Sequence, residues 1–449
     1  MAKSQTVDLT NGNIKKQIFR FSLPIVISNI ANELYNLTNS LIVGNYVSLE
    51  ALSAVSACTW ICNIFSYTFY GLGLGCGILV GKYYGAKDNN NLKKTLDTSL
   101  IFGFVFGISL TILSELFLPQ IMTICNIGES IFDSAYSYLR VYLLSNTFLL
   151  VSNIVYNILR SFGDSKHQLY YSIVGSITNL LLGFVFVRVL DMNVVGTSLA
   201  TTISQGISLL LALRLLINFK EINIDIKHLN FSFEIVKKIF SLGLPAGFQN
   251  MLIAISSMLI QSYINMFPNE IIAGIGVGEK INNWAQAVSA AVAAATTALV
   301  AQNYGAEKYD RVQEAIKTSL KISTIITCVF VAIIWIIAPF AVAGFNDSAE
   351  VIKCGTNMIR ISVFGMIFVN FSHIYNAACR GAGNVKAPMF VAIAGQVISK
   401  YLFVYIGLKI SHNVNILYMG SAIGYLAAGT FAALYFNLSR WTFENQLRS

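Results

Sequence analysis

The sequence predicts an all-α polytopic membrane protein: twelve transmembrane helices in two parallel-repeat six-helix lobes around a central cavity. Three observations lead to this: an apolar composition, span-length apolar stretches and an internal repeat. Of the 449 residues, 55% are hydrophobic and 11% are charged, whereas soluble domains carry about 25% charged residues. A bilayer span needs about 20 mostly apolar residues. Such stretches recur along the whole chain, which excludes a soluble protein.

Twelve apolar stretches separated by short polar breaks predict the spans. They cover residues 18–46, 52–80, 95–118, 134–158, 168–188, 194–217, 239–266, 271–301, 318–338, 355–379, 389–408 and 416–438. The first stretch has span length and is followed by further spans, so we expect a retained helix and no cleaved signal.

The distribution of lysine and arginine predicts the orientation. Basic residues concentrate in alternate segments between the spans, and the opposite segments carry only Arg188, Lys353 and Lys409. Because cytoplasmic loops are enriched in basic residues, both termini are expected in the cytoplasm. The formal net charge of +9 follows from this topology, and no basic-aromatic cluster points to nucleic acid.

Three cytoplasmic landmarks recur at a spacing of about 220 residues, which indicates an internal repeat. The pairs are Leu23-Pro24 with Leu244-Pro245, Tyr84-Gly85-Ala86 with Tyr304-Gly305-Ala306, and the turn from Arg160 to Lys166 with the turn from Arg380 to Lys386. Each half holds six spans, so both halves start from the same face and the repeats are parallel. The predicted lobes are residues 1–228 and 229–449.

Glycine and proline positions predict helix packing and turns. Four glycines at alternate positions from Gly71 to Gly77 predict close helix contacts in span 2. Pro24 and Pro245 lie inside the first span of each lobe and are candidate hinges, with a static kink as the alternative. In the paired turns, the glycine is expected at positive φ and Asp164 or Asn384 is expected to cap the next helix.

Motifs of catalysis and metal binding are missing from the sequence. The four histidines are scattered, the seven cysteines lack paired CxxC spacing, and no carboxylate pair shares a helix face in a plausible pocket. We therefore predict no enzyme activity, no metal site and no cofactor.

Several motifs together resemble the multidrug and toxic compound extrusion (MATE) family over essentially the whole chain. They are Leu23-Pro24 at the start of span 1, the run from Tyr35 to Gly44 later in it, Tyr-Gly-Ala after spans 2 and 8, and Arg380-Gly-Ala-Gly383-Asn384 after span 10. The resemblance implies two six-helix lobes, a central cavity and export of organic, often cationic compounds driven by sodium ions or protons.

The chain departs from this family where its members usually carry carboxylates. Asn39 stands where the family has an aspartate in span 1, and Gly183 stands four residues after Asn179, where an aspartate is common. The resemblance therefore does not transfer the usual coupling chemistry directly. Glu33, two turns before Asn39, is a candidate relocated acid, with a polar contact to a neighbouring helix as the alternative.

Two sets of polar side chains are the predicted lining of the cavity, because charges at membrane depth are costly unless they face a cavity or a partner. The N-lobe set is Glu33, Asn36, Asn39, Asn179, Thr201 and Thr202, and the C-lobe set is Glu279, Lys280, Asn283 and Lys400. A buried ion-pair network of Glu279 with Lys280 and Lys400 is the structural alternative. A proton, rather than sodium, is the expected coupling ion, since one carboxylate suffices for a proton cycle.

Two other functions remain open. Lys280 and Lys400 would also suit a flippase-like exporter of lipid-linked or anionic precursors. The missing aspartates would fit a transport-incompetent receptor or assembly partner. The expected partners are the lipid bilayer and a small organic substrate, with the protein working as a monomer.

Overall fold

The computed structural model describes residues 8–46, 49–125, 127–218, 229–411 and 413–438, without side chains for 33–46, 49 and 52. These residues form α-helices joined by short turns. In chain order the helices are α1 (Ile14–Tyr46), α2 (Leu49–Gly85), α3 (Asn89–Leu116), α4 (Leu118–Ile124), α5 (Phe132–Leu143), α6 (Asn146–Ser161), α7 (Lys166–Phe184), α8 (Asn193–Ile217), α9 (Phe233–Ile264), α10 (Asn269–Gly305), α11 (Tyr309–Ala343), α12 (Ala349–Ser362), α13 (Gly365–Gly381), α14 (Lys386–Ala392), α15 (Lys400–Ile410) and α16 (Asn415–Leu438).

The helices account for the twelve predicted spans. Nine helical stretches in the described residues are long and apolar enough to cross a membrane. Two bent pairs each serve as one span, α5 with α6 at 43° and α12 with α13 at 50°. The twelfth is α1, whose 33 residues measure about 50 Å at 1.5 Å per residue.

The chain divides into two compact units. The N unit contains Leu23–Gly247, and the C unit contains Leu9–Ser22 together with Phe248–Ser449. The divisions fall inside α1 and α9, within three residues of Pro24 and Pro245. Both helices continue through their proline, and hinge bending there stays a prediction. The lobe boundary at residue 228 also stays a prediction, because 219–228 lie outside the described residues.

The predicted glycine packing in span 2 is present in the N unit. A Cβ on Gly75 would lie 2.8 Å from the carbonyl oxygen of Ile239 in α9, and a Cβ on Gly73 would lie 2.8 Å from the backbone of Asn153 in α6. Gly71 and Gly77 continue the same alternation toward α9 and α6. Only glycine therefore lets α2 approach both neighbours this closely.

The repeated cytoplasmic turns also have the predicted geometry. Gly163 has φ of 79° and Gly383 has φ of 94°. Asp164 Oδ1 accepts hydrogen bonds from the backbone N–H groups of Lys166 and His167 at 3.1 and 3.2 Å. In the second turn, Asn384 Oδ1 accepts the Ala387 N–H at 3.2 Å. Both caps satisfy backbone donors at the start of the next helix, α7 or α14.

An N-terminal segment that hydropathy does not predict docks within the C unit. Leu9 is buried, and its N–H donates to Gln302 Oε1 at 3.0 Å. Asn303 Nδ2 donates to the Leu9 carbonyl at 3.1 Å, and Lys308 Nζ donates to the Thr10 carbonyl at 2.9 Å. These bonds tie the residues before α1 to the end of α10 and the start of α11.

The segment before α9 docks in the N unit in a similar way. Asp97 Oδ2 accepts the Asn230 N–H at 3.1 Å, and Thr98 Oγ1 accepts the Ser232 N–H at 3.1 Å. Asp97 and Thr98 are buried in α3. The first long helix of each repeat is thus preceded by a short segment held through its backbone.

Two π-helical segments interrupt the α-helical pattern, at Val185–Val189 after α7 and at Ile393–Ser399 between α14 and α15. In the second, Ser399 Oγ donates to the Ala394 carbonyl, five residues earlier, at 2.8 Å. A π turn accommodates one extra residue, so it rotates everything after it relative to a regular helix. Apolar periodicity does not reveal such a shift, but it determines which side chains of α15 face α16.

Candidate functional site in the C unit

A polar cavity of about 250 Å³ lies inside the C unit. It is bounded by side chains of α9, α10, the second π segment, α15 and α16. Nine of its eleven lining residues carry an amide, a hydroxyl or a charge. The lining residues are Ile253, Ser257, Glu279, Asn282, Asn283, Gln286, Gln396, Lys400, Ser421, Gly424 and Tyr425. Such a lining differs sharply from the apolar cores of the molecule.

Two opposite charges face this cavity, Glu279 from α10 and Lys400 from the start of α15. In the described part of the chain, no ion pair of 4.0 Å or less joins the two side chains. A charge at membrane depth costs several kcal/mol unless it faces a cavity or a partner. The cavity therefore explains how this protein tolerates both groups inside a span.

Two amide side chains of α10, Asn282 and Gln286, make hydrogen bonds at the site. Asn282 is 2% exposed, and its Nδ2 donates to Ser362 Oγ at 2.8 Å. Its Oδ1 accepts from no group among the described residues. Gln286 Nε2 donates to the Tyr425 hydroxyl at 2.9 Å. Asn282 therefore keeps a buried acceptor without a donor among the described residues, next to a cavity that is lined by a carboxylate and an ammonium.

The π segment directs Lys400 toward the cavity. A Cβ on Gly424 of α16 would lie 3.0 Å from Lys400 Cβ, so the lysine stem passes directly over this glycine. One turn earlier, Gly395 packs against Ala428 of α16. Five residues separate Gly395 from Lys400, because the chain between them is π-helical. Without the extra residue, Ser399 would stand at this position.

The predicted neighbour Lys280 does not line the cavity. Its side chain is exposed, and its Nζ lies 5.9 Å from the ring centroid of Phe345. For the alternative of an ion-pair network, no pair of 4.0 Å or less joins Glu279 to Lys280 or Lys400 among the described residues. Consecutive residues of an α-helix point about 100° apart, so two adjacent side chains of α10 face different surroundings. Asn283, one turn after Glu279, lines the cavity of the C unit.

In the N unit, Asn179 and Thr201 come together as expected. Asn179 of α7 is 1% exposed and donates through Nδ2 to Thr201 Oγ1 at 3.0 Å and to Ser204 Oγ at 3.3 Å, both on α8. Asn179 Oδ1 has no partner among the described residues. Thr202 points elsewhere, because its hydroxyl lies 3.0 Å from the Val141 carbonyl of α5. A cavity-lining role for Thr202 therefore gains no support from its contacts.

The remaining predicted N-lobe residues are Glu33, Asn36 and Asn39. They lie in α1, but their side chains are outside the described residues, so their roles stay predictions. Within the described part of the chain, no group of three or more His, Cys, Asp or Glu side chains is arranged to hold a metal ion.

The predicted lining sets do not include several residues that line the cavity, among them Asn282, Gln286 and Tyr425. The sequence carries a signal for the first two, because Glu279, Asn282, Asn283 and Gln286 repeat at spacings of three and four along α10. That spacing places polar groups on one face of a helix. Gln396 offers no comparable pattern, since it lies in the π segment.

A family model described as MatE matches this chain twice, over residues 24–185 and 245–406. Together the two matches cover well over half of the chain. The protein belongs to the MATE family. The matched segments begin at Pro24 and Pro245, so the duplication predicted from three landmarks is also a duplication of the family unit. Members of this family are transporters, not enzymes, and this protein is accordingly a membrane transporter.

Relatives and solved structures agree with the family assignment over nearly the full length. "Probable multidrug resistance protein YpnP" of Bacillus subtilis is 25% identical, covering 97% of both chains. "Multidrug export protein MepA" of Staphylococcus aureus is 22% identical, covering 87% of this chain and 86% of that protein. A solved outward-facing MATE multidrug resistance transporter is 23% identical with a TM-score of 0.91, covering 98% of both chains. This structural likeness supports the twelve-helix fold.

Proposed function

We propose that this MATE transporter exports small organic compounds, including cationic and amphiphilic ones, by alternating access in exchange for an inward-moving cation. The observation that carries the proposal is the polar cavity inside the C unit, with charged groups from two different spans. Relatives named for multidrug resistance and export support the direction of transport.

A proton is the proposed coupling ion. The cavity of the C unit contains the Lys400 ammonium as well as the Glu279 carboxylate. This fixed cation opposes the entry of a sodium ion by like-charge repulsion. The Asn179 cluster offers amide and hydroxyl groups but no carboxylate. A metal cation prefers several oxygen ligands including anionic ones, whereas a proton requires a single acceptor. In the N lobe, Glu33 is the proposed acceptor.

We further propose that the protein works as a monomer in the cytoplasmic membrane of a bacterium, with both termini in the cytoplasm. The excess of lysine and arginine in alternate segments supports this orientation. Site-specific labelling tests it: reagents added from outside should modify a cysteine placed at Ser48 or Asn346, and should not reach either terminus. Outside labelling of a terminus would overturn the topology.

The second candidate function is a flippase-like exporter of anionic precursors, favoured by Lys400 inside the cavity. An anionic lipid-linked cargo would pair with this ammonium. Glu279 weighs against it, because the carboxylate beside Lys400 leaves the cavity without a net positive charge.

Efflux from loaded proteoliposomes separates these possibilities. The protein is reconstituted with a cationic dye inside, and proton and sodium gradients are imposed separately. We expect dye export under an inward proton gradient, with little stimulation by sodium. A strict sodium requirement that survives collapse of the proton gradient would overturn proton coupling. Complete absence of export under either gradient, with movement of a labelled anionic lipid instead, would favour the flippase.

A further inference from the structure

We infer that the C-unit cavity binds a small zwitterion, a molecule that carries an ammonium and a carboxylate at the size of an amino acid. This inference rests on the proposed export function and names a substrate class for the cavity. It starts from Glu279 and Lys400, two opposite charges that line one cavity without a direct ion pair in the described part of the chain.

Charge balance favours a zwitterion over a singly charged occupant. A cation would pair with Glu279 but would be repelled by Lys400, and an anion would meet the reverse situation. A zwitterion pairs with both residues at once, its ammonium toward Glu279 and its carboxylate toward Lys400. Both protein charges then gain a partner, which is the condition under which charged groups are tolerated away from water.

The remaining lining groups fit the same occupant. The amide groups of Asn283 and Gln396 provide both donors and acceptors. Binding sites that select polar ligands do so through such fixed hydrogen-bonding groups, because a ligand that lacks the matching group leaves them unpaired.

The size of the cavity limits the occupant. Its volume is about 250 Å³, below the range of about 300–1,000 Å³ typical of sites for drug-sized ligands. A cavity of about 150 Å³ accommodates benzene. The C-unit cavity therefore suits a molecule of roughly ten non-hydrogen atoms on the same scale, which is the size of a medium amino acid.

Position in the repeat makes Lys400 specific to this half of the protein. Lys400 lies over Gly424 of α16, and the repeat-related Asn179 donates to Ser204 of α8. Ser204 and Gly424 are 220 residues apart, like the other repeat landmarks. The π segment brings a lysine to the place where the N unit has a neutral amide. The N-unit cluster thus serves as an internal comparison that lacks both charges.

Calorimetric titration of the purified full-length protein in nanodiscs tests the inference. The probes are the neutral L-amino acids from alanine to phenylalanine. For L-glutamine, the matched single-charge probes are 4-aminobutanamide, which lacks the carboxylate, and glutaramate, which lacks the ammonium. We expect at least one amino acid to bind, and its decarboxylated and deaminated analogues to bind at least about tenfold more weakly, the loss of one charged hydrogen-bonding partner.

Variants identify the site. Glu279→Gln and Lys400→Met should each weaken binding at least about tenfold, and the charge-neutral double variant should abolish it. Lys280→Met is the matched control, because it removes a lysine of α10 that lies outside the cavity, and it should bind as the native protein does. If a single variant does not fold, the double-neutral variant is compared with the charge-swapped variant Glu279→Lys, Lys400→Glu. The charge-swapped variant should bind the amino acid more tightly than the double-neutral one.

Three results would overturn the inference: no amino acid binds to the folded native protein, the cationic analogue binds as tightly as its parent, or the double-neutral variant binds normally. Its failure is distinct from failure of the export function. Zwitterion binding without dye efflux would contradict the export proposal alone, and efflux without zwitterion binding would contradict the inference alone.

Discussion

The two repeats share a helical frame but differ in the chemistry placed on it. In the N unit, the junction of α2, α3 and α6 is apolar: Phe69 and Leu150 are fully buried, and Gly103 packs against Val151 and Ile154. At the positions 220 residues later, the C unit has Ser289, Asn370 and Ser323. There Asn370 Oδ1 accepts hydrogen bonds from both serine hydroxyls, at 2.9 Å from Ser289.

A similar divergence occurs where the bent span meets its neighbour. Arg140 of α5 lies 3.9 Å from Glu115 of α3 in the N unit. The equivalent Arg360 of α12 lies over the ring of Trp335 of α11, 4.9 Å from its centroid. The same two helices are joined by an ion pair in one repeat and by a cation–π contact in the other.

The backbone geometry, in contrast, is preserved. Lys87 and Glu307 have φ of 55° and 58°, and the equivalent turn glycines are also both at positive φ. Duplication has therefore retained turns and helix contacts while side-chain chemistry has diverged. In the described residues, the cavity that carries both charges lies in the C unit, and its N-unit counterpart is the neutral Asn179 cluster. The following predictions test this division.

The largest expected effect comes from Glu33, the proposed proton acceptor of the N lobe. Glu33→Gln should leave substrate binding intact and lower proton-driven export by about 100-fold, the low end for loss of a proton-transferring group. Asn39→Asp in the same background should restore part of the activity, because it returns an ionisable oxygen to α1. Dye efflux under a proton gradient measures both. Normal export by Glu33→Gln would show that Glu33 is not the proton acceptor and that the coupling group lies in the C unit.

Glycine packing offers the next test, since the repeats differ at this contact. Gly75→Ala places a Cβ 2.8 Å from the Ile239 carbonyl and should lower stability by about 2–3 kcal/mol, the cost of overpacking. The equivalent residue in α10 is Ala295, and Ala295→Gly should cost only about 1 kcal/mol, from helix propensity. Unfolding in graded denaturant in detergent compares the two. Equal costs would show that the close approach of α2 and α9 is not required.

The polar junction of the C unit should tolerate replacement only as a set. Asn370→Leu introduces the residue of the N unit but leaves the buried Ser323 hydroxyl without its acceptor and Ser289 with only His373 Nδ1, 3.2 Å away, at a cost of about 2 kcal/mol. Adding Ser289→Ala and Ser323→Ala should recover part of this loss, because fewer buried donors then remain unpaired. The same unfolding assay measures both variants. A triple variant less stable than Asn370→Leu would show that the two serines stabilise the C unit through partners other than Asn370.

The smallest effect is expected at the two arginines. The Arg140 side chain is 66% exposed, so Glu115→Gln should cost at most about 1 kcal/mol, and the cost should fall as salt is added. Trp335→Leu removes a cation–π contact worth about 0.5–1 kcal/mol at exposed sites. Its contribution should respond less to salt than that of the ion pair. An identical salt response would show that the two contacts are not chemically distinct.

Several features of the fold follow from local sequence alone. Hydropathy predicted the spans because each is a continuous apolar run, and the turn at Gly163 was predictable because positive φ and capping are local properties. The cavity was only partly predictable. Lys400 reaches it through a π segment that shifts the helix by one residue, which hydropathy does not register.

Predicted and observed site residues also differ where two polar residues are adjacent in the sequence. Glu279 and Lys280, like Thr201 and Thr202, are adjacent in sequence but face different surroundings, because successive side chains on a helix point about 100° apart. The sequence therefore predicts Lys280 in one lining set with Glu279, and Thr202 in one lining set with Asn179. The spacing of three and four residues along α10 is the signal that distinguishes the lining residues from their neighbours.

A double-mutant cycle on Glu279 and Lys400 tests the central claim most directly, namely that these two charges work together in one cavity of the C unit. Export by the native protein, Glu279→Gln, Lys400→Gln and the double variant is measured in proteoliposomes, with each variant's melting temperature as the folding control. The account predicts that each single variant loses most of its activity and that the loss in the double variant is smaller than the product of the two single losses, since interacting residues are not additive. Losses that multiply independently in the double variant would contradict it.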